Sequence, residues 1–216
     1  MSYQFKKPNR AINRVFLHCS ASDNIKHDNV ETMIEWHKAR GWSTIGYHFF
    51  IKKDGTIQEG RSLEKTPASA KGHNTKTIAI CCHGLEKDKF TELQFKSVYE
   101  LCRQINASVS NKVTFHGHCE VSAKSCPVYD YKYVLGLDGM GNMTFDCKQG
   151  DRVLEKACPP GNDVKWLQDK LGLTSDGLFG QMTEAAVREF QEDNGLESDG
   201  IVGFKTWEIL HEEFGS

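Results

Sequence analysis

No stretch of the 216 residues stays apolar for long enough to cross a bilayer: runs such as Ile78 to Cys82 fall far short of the roughly 20 residues a span needs. No apolar segment follows Lys6, Lys7 and Arg10 either, so neither a signal peptide nor membrane insertion is expected, and synthesis in a cytosol is. Lys and Arg are not gathered into a stripe, which argues against nucleic acid as a partner. The 8 Cys include no CxxC pair, and in a cytosolic product they read as thiols or metal ligands rather than a disulfide framework. Paired carboxylates of the kind used in glycoside cleavage are not evident. What is present, 38% apolar residues with 12 Phe, 6 Tyr and 4 Trp, is enough to bury a globular core.

Charge divides the chain. Residues 1 to 150 carry 21 Lys and Arg against 15 Asp and Glu, a balance of +6, while residues 151 to 216 carry 6 against 14, a balance of -8. Two domains with different surfaces are therefore expected. In the first, Arg14 to Ser20 alternates as a strand, and Asp28-Asn-Val-Glu31 is a capping-box pattern opening a helix that should stop at Gly41. Gly46 to Lys53, Asp54-Gly55 and Thr56 to Glu59 read as a hairpin. Thr77 to Cys82 reads as a buried central strand. Thr91 to Gln94 caps a helix with Phe95, Val98, Leu101 or Cys102, and Ile105 at helical spacing, and Val113 to His116 is a further short strand. Strands interleaved with helices make this unit α/β.

Glycines and the Pro159-Pro160 pair punctuate residues 135 to 161 as a linker. Beyond it, Leu173 to Thr183 repeats as Leu196 to Thr206, an offset of 23 residues in which each copy is a turn feeding a helix, with Thr183 or Thr206 placed to cap it. With a first helix from Asp163, the tail reads as a three-helix unit.

Three segments carry residues suited to one metal ion. His18 lies on the first strand, His118 follows the Val113 strand, and Cys126 comes eight residues later. Two imidazoles and a thiolate suit zinc and leave a fourth position open, as catalytic sites require. Lys124 precedes the thiol, and Tyr47 in the hairpin falls on the face opposite His48. A cation and a phenol beside a metal-bound water suit polarising a carbonyl and holding an oxyanion.

Leu17 to Ala21, Trp36-His37, Gly46 to Phe49, Lys52 to Gly55, Ala70-Lys-Gly-His-Asn74 and His118 to Pro127 together resemble the bacteriophage zinc amidases that share a fold with peptidoglycan recognition proteins, over roughly residues 12 to 135. The resemblance implies Zn2+ on His18, His118 and Cys126, Tyr47 and Lys124 as catalytic residues, and a substrate groove lined by Lys71, His73 and Asn74. It also implies N-acetylmuramoyl-L-alanine amidase activity against bacterial peptidoglycan: an endolysin made in the host cytoplasm that acts in the periplasm and lyses the cell. Asp176 to Thr183, Ala186 to Gln191, Asp199 to Gly203 and Thr206-Trp207 independently resemble the small helical peptidoglycan-binding domain of wall hydrolases.

The expected fold is thus α/β, a mixed central sheet flanked by helices over residues 1–137, then a linker over 138–160 and a small all-α three-helix domain over 161–216. A monomer is expected. Two other functions are compatible with the resemblance: a non-catalytic recognition module, which the metal thiol argues against, and an amidase that also binds and inhibits a phage RNA polymerase. Locally, His116 rivals His118 as a ligand, with His118 preferred because only it keeps the spacing to Cys126 that the resemblance implies. Cys19 and Cys119 are expected to be buried thiols, His48 a satisfied core histidine, and His37 a helix residue packed under the sheet. Glu120 either orients a ligand histidine or is a plain exposed carboxylate, and Cys147 and Cys158 are expected to be free thiols.

Overall fold

The computed structural model describes residues 3–110, 112–143, 153–156, 158 and 161–215, so Cys147 lies outside the described residues. By internal contacts the chain divides into two compact units, Met1–Thr144 and Phe145–Ser216.

The first unit is built on a five-stranded sheet in the order β3-β2-β4-β1-β5. Its strands are β1 (Arg14–Cys19), β2 (Phe49–Ile51), β3 (Ile57–Glu59), β4 (Thr77–Cys82) and β5 (Thr114–Gly117). β1 pairs in parallel with β4 and β5, β4 in parallel with β2, and only the β2-β3 hairpin is antiparallel. Strands covered on both faces have no polar side to alternate, and β4, Thr-Ile-Ala-Ile-Cys-Cys, is accordingly buried at every residue. The hairpin turns at Asp54-Gly55, where Gly55 takes a φ of 78° and donates its amide to the Lys52 carbonyl at 2.9 Å.

Helices α1 (Val30–Ala39) and α2 (Glu92–Ser108) flank the sheet. Thr91 and Gln94 form the expected capping box of α2, and Phe95, Val98, Leu101, Cys102 and Ile105 are all buried. At α1 the cap is Asn29, not Asp28: the Asn29 side chain accepts from the Thr32 amide at 2.8 Å, while the Asp28 carboxylate accepts from the Lys53 amide at 3.1 Å, tying the helix entrance to the hairpin. A short helix α3 (Tyr131–Val134) follows the last loop, and Leu137 then pairs with Met143 across a turn held by Asp138. Gly141 accepts from the Phe115 amide at 2.8 Å, so this turn rests on β5.

The second unit holds α4 (Asn162–Lys170), α5 (Gln181–Asp193) and α6 (Phe204–Phe214). Leu154, Val164, Leu167, Phe179, Val187, Phe190, Val202, Trp207 and Leu210 make its core. Thr183 and Thr206 are not caps. The N-cap positions are Gly180 and Gly203, without a side-chain cap, and each Thr sits inside the first turn, buried. The 23-residue repeat has a hydrogen-bonded counterpart. Gln168 Nε2 donates to Asp176, to the Leu178 carbonyl and to Thr183, while its Oε1 accepts from the Gly177 amide. Gln191 does the same with Asp199, Ile201, Thr206 and Gly200. Among the described residues no helix is long and apolar enough to cross a membrane.

Candidate metal centre

Parallel register sets up the site. Leu17 of β1 stands beside Gly117 of β5, so the next residues, His18 and His118, emerge together at the carboxyl ends of adjacent strands. Open α/β sheets use this edge for ligands. Gly117 allows the turn that follows, because a Cβ there would stand 2.6 Å from the Tyr131 ring and 2.9 Å from Cys119 Sγ. A 3-10 turn over His118–Glu120 then carries the chain into the loop that returns Cys126. The loop closes on itself through the Cys119 amide, which donates to the Cys126 carbonyl at 2.6 Å.

One nitrogen of each histidine and Cys126 Sγ lie within 4.8 Å of one another. The His18 and His118 ring centroids are 4.7 Å apart, and Cys126 Sγ is 3.8 Å from His18 Nδ1 and accepts from the Cys19 amide at 3.3 Å. Bonds of about 2.0 Å to nitrogen and 2.3 Å to sulfur in a tetrahedron space ligand atoms about 3.3 to 3.6 Å apart, and the 3.8 Å between Cys126 Sγ and His18 Nδ1 is near that spacing. Electrostatics keep the two rings available as donors. His18 is fully buried, and its Nε2 has no hydrogen-bond partner among the described residues. Burial first, then the charges of His118 and Lys124, hold it well below the usual histidine value, and burial with Lys124 also lowers His118. Both shifts favour the neutral imidazoles, which can donate lone pairs. The hydrogen bond with the Cys19 thiol, and then burial, hold the Cys126 thiol far above the ordinary cysteine range, so a thiolate there calls for a nearby cation. The donor set fits zinc.

The Tyr47 ring centroid lies 5.0 Å from that of His18 and 5.4 Å from that of His37. Burial first, then the neighbouring thiols, push its hydroxyl well above the usual tyrosine value, so it stays a donor. Lys124 is exposed on the loop before Cys126, near enough for its charge to act on both histidines. On the same face of β1 as His18, two residues back, Phe16 meets the His73 ring at 6.4 Å. Lys71 is exposed, whereas Asn74 Oδ1 accepts from the Ser69 and Ala70 amides at 3.1 and 2.9 Å, so its acceptor holds the loop.

His116 stands outside the His18, His118 and Cys126 cluster, with Nδ1 on Glu120 and Nε2 on Thr114. Glu120 accordingly touches neither His18 nor His118; it is exposed, as the plainer reading expects, yet engaged by His116 and Tyr131. Cys19 is buried, but Cys119 is exposed, because the chain has left the strand for a 3-10 turn and alternation no longer applies. His48 is buried with both nitrogens engaged, and Cys158 is a free thiol. Sequence reasoning missed two neighbours of the site. His37 Nδ1 accepts from the Gly46 amide at 2.9 Å, which fixes the backbone just before Tyr47. Tyr131 donates to Glu120 from α3. Neither contact has a periodic signal.

Comparison with known proteins bears on both units. Residues 160–210 match the putative peptidoglycan binding domain, and residues 8–129 match the N-acetylmuramoyl-L-alanine amidase family. The endolysin of Enterobacteria phage T3 is 36% identical over 132 residues, 58% of this chain and 87% of the relative. That of Escherichia phage T7 is 36% identical over 135 residues, 60% of this chain and 88% of the relative. Among solved structures, the N-acetylmuramoyl-L-alanine amidase LysC from Clostridium intestinale superposes with a TM-score of 0.53 at 28% identity, covering 63% of this chain and 93% of that one. A mixed sheet with paired histidines at its carboxyl edge, phage endolysins as relatives and a family match over more than half its length make this chain a member of the N-acetylmuramoyl-L-alanine amidase family, with a peptidoglycan-binding domain behind it.

Proposed function

We propose that the chain is a zinc-dependent amidase that cuts the bond between the lactyl group of N-acetylmuramic acid and L-alanine in peptidoglycan, and that it lyses a phage-infected host from the periplasmic side. The observation that carries this reading is the convergence of His18, His118 and Cys126, three residues from separate segments, to within 4.8 Å. Zinc held by these residues would supply Lewis acidity and lower the pKa of water at its open position towards about 7. The chain's own groups do the rest. Tyr47, kept protonated by burial, donates a hydrogen bond to the carbonyl oxygen as negative charge develops there, and the Lys124 ammonium adds attraction for the same oxygen. Lys71 and His73 are assigned to contact the stem peptide or glycan. The second unit retains the enzyme on an insoluble polymer, raising the local concentration of bonds without adding chemistry. Product analysis tests the reading. Digested sacculi should gain free L-alanine amino groups without new reducing sugar ends, and new reducing ends at a comparable rate would contradict it.

A further inference from the structure

Glu120 closes the turn that presents His118, and its carboxylate gathers three donors from around that turn. One oxygen faces His116 Nδ1 at 2.7 Å. The other accepts from the Tyr131 hydroxyl and, at 3.4 Å, from the Gly117 amide. With Nδ1 donating to the carboxylate, His116 Nε2 accepts from Thr114 Oγ1 at 2.8 Å, and the His116 ring lies 5.7 Å from that of Phe16. The anchors are therefore strand β5, helix α3 and the residue immediately before His118. The far side of the loop is tied separately, through the Cys119 amide to the Cys126 carbonyl and through the Ser122 hydroxyl to the His118 carbonyl at 3.0 Å.

We infer that Glu120 is a positioning residue of the metal centre, buckling the His118 turn to the sheet edge and to α3 so that His118 is held against His18 before a cation arrives. This rests on the reading of His18, His118 and Cys126 as zinc ligands. In the usual arrangement an outer carboxylate bonds a ligand histidine directly. Here the carboxylate acts one step further out, on the backbone and neighbours that aim the ring. The physical reason for such a device is entropic. A turn left free to wander must be ordered when metal binds, and that ordering is subtracted from affinity. A carboxylate with two charge-assisted or hydroxyl bonds and one amide bond is strong enough to order it beforehand.

The test compares full-length wild type with Glu120→Ala, Glu120→Gln and Tyr131→Phe. Each is stripped of metal and retitrated with zinc against a chromophoric chelator, then loaded with Co2+ for its visible spectrum. Loss of outer partners weakens metal affinity about 10- to 100-fold, and that range is expected for Glu120→Ala, with a smaller loss for the other two and altered Co2+ bands in Glu120→Ala. Glu120→Ala and Glu120→Gln binding zinc within about twofold of wild type with an unchanged Co2+ spectrum would overturn the inference. So would a merely structural effect, in which the unfolding temperatures of metal-free and zinc-loaded protein fall equally while affinity stays put. Should Glu120→Ala fail to fold, Glu120→Gln and Tyr131→Phe decide on the same criterion. Wild type that takes up no zinc at all would overturn the ligand assignment itself, a failure distinct from that of the positioning role.

Discussion

Tyr47 and His48 are adjacent in sequence and opposite in use. Tyr47 packs against His18, whereas His48 turns into the core, where its Nδ1 accepts from the Ala79 amide at 3.0 Å and its Nε2 donates to the Lys65 carbonyl at 2.9 Å. Protonating Nδ1 would break the first bond, and burial holds the His48 pKa down to about 4. Because the unfolded state, near 6.5, binds the proton first, this histidine contributes stability that is full above pH 6.5 and is lost as pH falls towards 4, by at most about 3 kcal/mol. Denaturant unfolding between pH 7 and pH 4 should therefore show a shallower acid loss in His48→Gln than in wild type. For Tyr47 the expected change is catalytic. Tyr47→Phe should keep its zinc and its fold but lose about 100-fold in turnover, the scale for removing an oxyanion donor. Residue types and spacing suggested His18, His118 and Cys126, and the family resemblance preferred His118 over His116; the fold brings the three together. Types and spacing were not enough for Glu120 and Tyr131, 11 residues apart, because that contact depends on how the loop closes rather than on any period.

At the scale of elements, polar residues at ends mattered more than apolar periodicity. Periodicity located β1, β4 and α2 because their apolar faces or fully buried runs leave one reading. It mislocated the α1 cap by one residue, since Asp28 and Asn29 are both good caps and only the nearby Lys53 amide decides between them. In the second unit the threonines resembled caps but serve as partners of a glutamine one helix earlier. That glutamine, fully engaged on the buried side of a repeated turn, is invisible to a hydropathy pattern. Gln168→Ala would strand the Gly177 amide and remove one partner of Thr183, at a cost of about 2 to 3 kcal/mol. Hydrogen exchange should report faster opening of α4 and α5 with no change in the amides of β1 and β4.

For the whole molecule, the change from +6 to -8 in charge and the glycine-rich stretch signalled two units, and the internal contacts divide the chain at residue 144. The turn from Leu137 to Met143 rests on β5, since Gly141 accepts from the Phe115 amide, so a catalytic fragment should include it. A chain ending after Thr144 is expected to cleave small soluble muropeptides at close to the full-length rate and to lose most activity on whole sacculi, measured by release of soluble fragments. Equal activity on sacculi would leave the second unit without a retention role. The central claim is that His18, His118 and Cys126 hold a catalytic zinc, and zinc content per chain is the direct measure. Elemental analysis should find about one zinc per wild-type chain and almost none in Cys126→Ala, whereas a Cys126→Ala protein with wild-type zinc content would contradict the account.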